Sequence, residues 1–570
     1  MSDSVFIAVD FGTAFSGYCF KIAVSEQVRQ PKWGKEYGLE TPKTPTCILF
    51  DENEKFLEFG YDAVMTYNRH TKKDEAKKLY LFDNFKMELY GKELHRDITL
   101  TAKNGKQMKA MKIFSESLRF MKDHALEIIG EHTSGVKYSA SDATWILTVP
   151  AIWSAAAKQF MREAATEAGL VTESEPDRLR HVSSAGTERL CVCRQLPSEG
   201  FMEGDLRGSE KIKEVTGTQY MVVDCGGGTI DITVHEVVEG GCLKELHRVS
   251  GSDMGGQTVD KNFKTFLREL FSEEVFDEFE ENHPSELQRL MYEFSICKRC
   301  KGNVFVQCPI NLKEIATRYK VIENYFDGNN DAAWDEGQIL LLGEKLKSLH
   351  DDSLRSIESL ITDILKKPNL NIDYIFLVGG FALSAYVNSL VREKFGGRCK
   401  VVCPADAQMA VLRGAVTFGM IPNVVLSRIS RFTYGIGIAH LFDETKHKGK
   451  RKYVTKEGKV FCDVCFHCLV KKDESVLFDE VREYVFSPAE RDQRAACFRF
   501  YYTESKTPEF TDEPGMTKIG SLTVSMPVIE EGSSRSVKLK IKFGFTEMQA
   551  TATDVGSGET SSVKLDFLSK

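Results

Sequence analysis

Two kinds of apolar pattern divide the chain. In the first, apolar runs ending in an acid and glycines are followed by alternating runs. Tyr220–Val223 leads into Asp224, Gly226, Gly227, Gly228, Thr229 and Asp231, and an alternating stretch then continues to Glu236. This predicts a buried strand and its hairpin partner. The N-terminal VFIAVDFGTAFSGYCF repeats the design: strand, Asp10, Gly12, Thr13, Ser16, Gly17, strand. A third element places strand Tyr374–Val378 before Gly379, Gly380 and an amphipathic helix. Between these, Lys109–Gly130 has Met111, Phe114, Leu118 and Met121 on one helical face, and ATWILTV is a buried strand that Pro150 ends before an Ala-rich helix. After Ile421–Arg431 the pattern changes to short alternating strands, among them FTYGIGIAHLF, CFRFYYTES, GSLTVSMP and VKLKIKFGF, which predict a β-sandwich. A chain of 570 residues is too long for one core, so two domains are expected, 1–425 and 426–570.

The glycine turns carry the candidate chemistry. Three successive residues without Cβ let backbone N–H groups approach an anion. Asp224 at the strand end and Asp231 beyond the turn are placed to hold a Mg²⁺ ion through its water. One such hairpin favours phosphate binding only modestly over the other reading, a Gly-rich turn with two solvated acids. Two of them some two hundred residues apart, with Gly379-Gly380 suited to close approach of a base or sugar, point to a duplicated nucleotide-binding scaffold.

Composition narrows the partners. With 42% hydrophobic and 28% charged residues the chain is globular, and a net charge of -8 gives no reason to expect nucleic acid or an anionic membrane surface. No apolar run is long enough to span a bilayer, and Met1–Phe20 reaches Asp10 and Gly12 too early for a signal peptide. Fifteen cysteines without such a signal read as reduced thiols of the cytosol or nucleus. Cys462, Cys465, His467 and Cys468 have zinc-like spacing on one side only. Alternate strand residues face opposite ways, so these are expected to be ordinary thiols rather than ligands of one ion. Lys446–Lys452 reads as a solvated hairpin loop, with a nuclear signal as the other reading.

The order Asp10-x-Gly-Thr, Val149-Pro150, Asp224-x-Gly-Gly-Gly-Thr, Gly255-Gly256, Gly379-Gly380 and Gly414-Ala415 resembles the actin-like ATPase superfamily, and within it the 70-kDa heat-shock chaperone family. The resemblance spans nearly the whole chain and points to a divergent branch. It implies an α/β actin-like two-lobed ATPase domain, a duplicated ribonuclease-H-like fold, followed by a β-sandwich substrate-binding domain. It further implies ATP or ADP with Mg²⁺, held by Gly12, Thr13, Ala14 and Phe15 in one half and by Gly226, Gly227, Gly228 and Thr229 in the other. Gly255, Gly256, Lys298, Gly379, Gly380 and Phe381 are the implied nucleoside contacts. Asp224 would place or activate water, Asp10 and Asp231 would position the hydrated ion with it, and Lys86 would stabilise the transferring charge.

Departures from the family pattern qualify this. Ala14 replaces a threonine, Lys158 an arginine, and Ser184-Ala185 a Glu-Pro pair that couples the domains. Near Lys298, Ser295 and Gly302 replace a glutamate and a serine. Phe381, Ala382 and Leu383 stand where small polar residues and an adenine-stacking arginine are usual, which predicts weaker adenine binding. The linker keeps Val424-Val425-Leu426 without flanking acids, and no helical lid is expected after the last strand. The resulting expectation is a cytoplasmic, stress-response chaperone that couples ATP hydrolysis to client polypeptides or signalling proteins bound by the β domain. The alternative is a nucleotide-sensing scaffold with little turnover. A small-molecule kinase is the third reading.

Overall fold

The computed structural model describes residues 5–568 apart from 24, 26, 70–77, 173–174, 176–177, 184–214, 422–423, 478, 531 and 544–547. Ser184 and Ala185 lie outside the described residues, as does most of the Gly- and charge-rich stretch Leu196–Gly217, which the sequence predicts to be an inserted loop.

In the first lobe, β1 (Val5–Asp10), β2 (Phe15–Ile22), β3 (Thr44–Pro45), β4 (Ala143–Val149) and β5 (Leu179–Ser183) form one sheet in the order β5-β4-β1-β2-β3. β1 and β4 are apolar nearly throughout because both their faces are covered. Helix α1 (Ala110–His132) buries Ile113, Phe114, Leu118 and Met121 against the sheet, and α2 (Ala155–Glu167) follows β4 from an N-cap at Ser154. In the second lobe, β6 (Gln219–Cys225), β7 (Ile230–Val237), β8 (Leu243–Ser252), β9 (Tyr374–Val378) and β10 (Lys400–Val402) run in the order β10-β9-β6-β7-β8. The two orders match strand for strand. Each lobe has a central antiparallel hairpin with two parallel strands on one flank and an antiparallel strand on the other. Helix α3 (Gly256–Phe271) follows β8. Helix α4 (Ala407–Met420) is buried nearly all round, with Ala8 and Ile146 of the first lobe and Val222 and Phe376 of the second in one core with its Met409 and Leu412.

The expected boundary at 425/426 falls inside a strand. β11 (Val425–Ile429) pairs in parallel with β8 and extends the second lobe's sheet. Val424 and Val425 are buried there while Leu426 faces out, so the apolar linker covers a sheet edge that would otherwise leave backbone groups unpaired. Residues Ser475–Leu477 add a further strand outside it.

Beyond β11, β12 (Thr433–Leu441), β13 (Lys452–Val454), β14 (Val460–Val470), β15 (Ala495–Thr503) and β16 (Thr517–Ser525) form an antiparallel sheet in the order β13-β14-β12-β15-β16. A second, four-stranded sheet contains Val481–Phe486, Val537–Phe543, Met548–Asp554 and Thr560–Lys564. Ile436, Phe500 and Leu522 of one sheet and Leu539, Ile541 and Ala552 of the other fill a common core. The chain then returns to the first lobe. Leu568 is buried in that lobe's core, Asp566 pairs with Arg96, and the Phe567 N–H donates to Gln159 on α2. Among the described residues no helix is long and apolar enough to cross a membrane.

Candidate functional site

The two acid-and-glycine hairpins meet. A Cβ built on Gly228 would stand 2.6 Å from Thr13 Oγ1, and one on Gly227 would stand 3.0 Å from the Ala14 Cβ. The first turn is braced by Thr46, whose Oγ1 donates to the Gly12 carbonyl (2.8 Å) and whose N–H donates to the Ala14 carbonyl (2.9 Å). The second closes on itself through the Gly226 N–H and the Thr229 carbonyl (2.9 Å). Thr13, Thr229 and Asp224 are all buried. Phe15 opens β2, half-buried.

Lys86 sits among the acids. It follows Asn84, whose left-handed φ of 56° turns the chain inward after an apolar strand, and its side chain is only 4% exposed. Burial drives its pKa down to about 8, against the raising influence of Asp10, Asp231 and Asp224. The ammonium also lies 5.2 Å from the centre of the Trp153 ring. Asp10 accepts from Thr148 Oγ1 (2.6 Å) and is ion-paired with Lys43. Burial acts to raise the Asp10 pKa, but Lys43 and Lys86 outweigh it and hold the carboxyl below its ordinary value. Asp224 and Asp231 lie directly opposite each other in the β6–β7 ladder. Asp231 is buried, which pushes its pKa up. It accepts from the Ile152 N–H (2.8 Å) and from Thr229 Oγ1 (2.9 Å).

Lys43, Thr46 and Thr148 belong to this site and were not read from the sequence. Thr148 lies opposite Asp10 only once β1 and β4 pair. Lys43 does carry a local signal. It stands in the Pro-flanked TPKTPT, and a Cβ on Gly17 would meet its Cγ at 2.9 Å, so that glycine makes room for the lysine to cross the hairpin.

Around the residues expected as nucleoside contacts the chain fills much of its own space. Gly255 and Gly256 lie against the second hairpin. The Gly256 and Gln257 N–H groups donate to the Gly226 and Gly227 carbonyls (3.0 and 2.8 Å). Lys298 Nζ is bonded to both Asp260 oxygens and to the Gly256 carbonyl, each at 2.7 Å. Phe381, expected as a nucleoside contact, is enclosed by its own lobe. It is 5% exposed, packed against Gly256 and parallel to the buried His350 ring at 6.0 Å. Apolar residues after a Gly-Gly turn are drawn into the second lobe's core rather than left lining a cleft. Gly379 and Gly380 differ. Gly379 lies tight against Cys225 and Asp224, whereas a Cβ on Gly380 would meet nothing within 4 Å.

A cavity of about 460 Å³ separates the lobes from the β domain, lined by Ile152, Lys158, Glu245, Arg428, Arg431 and Tyr434 among others. Ile152 connects the two sites: its N–H donates to Asp231 and its carbonyl accepts from Arg431 Nη1 (2.7 Å). Glu245 accepts from the Ile429 N–H (3.1 Å). Burial raises its pKa to about 7 despite Arg428, and burial with Arg428 and Arg431 lowers that of Lys158 to about 8. Docked β11 thus keeps a proton on Glu245 that the freed side chain would give up nearer 4.5. Docking is expected to strengthen as pH falls from about 7.5 to about 6, by about 1 kcal/mol. Lys158 acts in the opposite sense above about 8, so docking is weakest between the two values. Protease resistance of residues 424–431 against pH measures this, and Glu245→Gln should flatten the acid limb.

The profile of the family described as Hsp70 protein matches residues 208–461. Heat shock 70 kDa protein 12A of Homo sapiens is 30% identical over 626 residues, covering 99% of this chain and 91% of that protein. Heat shock 70 kDa protein 12B of Homo sapiens is 30% identical over 631 residues, covering 100% of this chain and 92% of that protein. The chaperone protein DnaK of Anaplasma marginale is 25% identical over 370 residues, 63% of this chain and 47% of that protein.

Proposed function

The chain belongs to the Hsp70 family, in the divergent branch that holds heat shock 70 kDa protein 12, and from that premise we propose that it binds Mg-ATP between its lobes, hydrolyses it, and uses nucleotide state to set the docking of its β domain. The observation that carries this reading is Lys86, one buried ammonium under the influence of Asp10 from one lobe and Asp224 and Asp231 from the other.

The donor set suits the ligand. Two facing acid-and-glycine hairpins offer hydroxyls at Thr13 and Thr229 and carboxylates for a hydrated cation. Mg²⁺ held with the triphosphate would neutralise charge on the phosphates. Asp224, at the end of the second hairpin's first strand, would orient water and accept its proton. Lys86 would present its charge to the phosphoryl oxygens, and Lys43 keeps Asp10 ionised for the cation. Because the hairpins touch, the lobes must part for phosphates to enter. Parting would strain the Asp231–Ile152–Arg431 link, which is how nucleotide state would reach the β domain. That domain would bind client polypeptides or signalling proteins on its sheets.

The nucleotide-sensing scaffold remains a second reading because of Phe381 and Lys298. Both are engaged within the protein where an adenosine would otherwise be held. Steady-state ATP hydrolysis by the full chain, with Asp224→Asn as control, separates the two. Turnover well above the control is expected. Turnover equal to the control, with ATP still bound, would select the scaffold. ATP is also expected to increase cleavage within residues 424–431, and Arg431→Ala to abolish the ATP dependence of that cleavage.

A further inference from the structure

Strand β14 contains an irregularity that regular alternation hides. Ile438 pairs with Cys465 and His440 with Cys462, so between these pairs the single Ala439 of β12 stands opposite both Asp463 and Val464 of β14. The extra residue is a bulge, and it turns two cysteines three apart toward the same side. Both are buried, Cys462 at 0% and Cys465 at 4% exposure. The basic loop read as solvated supplies a third group. His447 is itself buried, with its ring edge-on to Phe442 and Phe510 at 5.4 and 6.0 Å. Its Nε2 lies 3.7 Å from Cys465 Sγ, and one donor atom from each of the three residues falls within 4.8 Å of the others. The other two members of the sequence cluster turn elsewhere. His467 packs on Tyr484 and Phe486, and Cys468 pairs with Gly435.

We propose that Cys462, Cys465 and His447 bind a thiophilic d¹⁰ cation, zinc being the case to test, as a cross-brace that fastens the 442–452 loop to the β domain. Two thiolates and one imidazole are a donor set for Zn²⁺ rather than for Mg²⁺ or Ca²⁺. Two thiolate charges cancel the ion's, so a neutral complex forms where an isolated charge would be costly. The fourth position is left to water or an incoming ligand. Loading replaces two S–H bonds by two metal–sulfur bonds and releases two protons to solvent. In the metal-free ring Nδ1 accepts from the Asp443 N–H (2.9 Å), which keeps the ring proton on Nε2. On loading that proton moves to Nδ1 and the Asp443 bond breaks. The site is separate from the nucleotide chemistry, so its failure leaves the proposed ATPase untouched.

The test is metal analysis of the full chain after dialysis against metal-free buffer and addition of zinc or cobalt alone. The expected result is about one zinc per chain, with thiolate-to-cobalt charge-transfer bands in the cobalt form. Cys462→Ser with Cys465→Ser should lose both signals, His447→Ala should weaken zinc retention against a chelator about tenfold or more, and Cys468→Ser should leave both unchanged. Cobalt spectra of the unaltered chain stand independently of whether the double variant folds. Binding of less than about a tenth of an equivalent, cobalt bands without thiolate character, or a Cys462–Cys465 disulfide in the reduced-buffer preparation would each overturn the proposal.

Discussion

Gly379→Ala is expected to destabilise the second lobe by about 3–5 kcal/mol, while Gly380→Ala one residue on changes stability by less than about 0.5 kcal/mol. Gly379 ends β9 at a φ of 88°, where a side chain is strained whatever its surroundings. A Cβ there would also stand 2.6 Å from Asp224 Oδ1 and closer still to the Cys225 carbonyl. Neither neighbour gives easily, since Cys225 is in the β6 ladder and Asp224 is buried. Gly380 has an ordinary φ of -67° and open space around its Cβ position. Chemical denaturation of the two variants measures the contrast, and equal losses would contradict the local geometry. ATP affinity then separates a further point. Gly380→Ala should weaken nucleotide binding only if the ligand approaches that glycine, whereas Gly379→Ala acts by displacing Asp224.

Replacing Lys86 by methionine is expected to lower ATP turnover by about 10²–10³-fold, the range for removing one preorganised charge at a reacting centre. Methionine keeps most of the volume against Trp153 and removes only the charge. Asp10, Asp224 and Asp231 then lose a shared cation, although Lys43 still holds Asp10. Single-turnover measurement on preformed complex isolates this from weaker binding. The pH dependence gives a second readout. An ammonium whose pKa burial has drawn down to about 8 loses its charge as pH rises through that value, so kcat/KM of the unaltered protein should fall there. Unchanged turnover in Lys86→Met would reduce the residue to a structural counter-ion.

Much of the lobes was legible because the hairpins are local. Asp10 to Gly17 and Asp224 to Asp231 form their turns within a few residues, and the glycines mark where the backbone must bend. The buried strands announced themselves as apolar runs, and the face of α1 by its period, although Ile113 rather than half-buried Met111 completes it. Lys43 and Thr148 escaped because each reaches Asp10 only through pairing between distant segments. For Phe381 the sequence shows the chemistry but not the His350 and Gly256 surfaces that bury it.

The cysteines show the limit most clearly. Alternation along a regular strand places Cys462 and Cys465 on opposite faces, and one extra residue against β12 reverses that. His447 is seen beside them only after the basic loop folds back. The sequence by itself determined the duplicated hairpins, the helix faces and the strand-rich C-terminal quarter, since these follow from the periodicity and backbone freedom of neighbouring residues. Tertiary structure alone decided which charges surround Lys86, that β11 joins the second lobe's sheet, and which thiols converge, because each depends on the register between segments far apart in the chain.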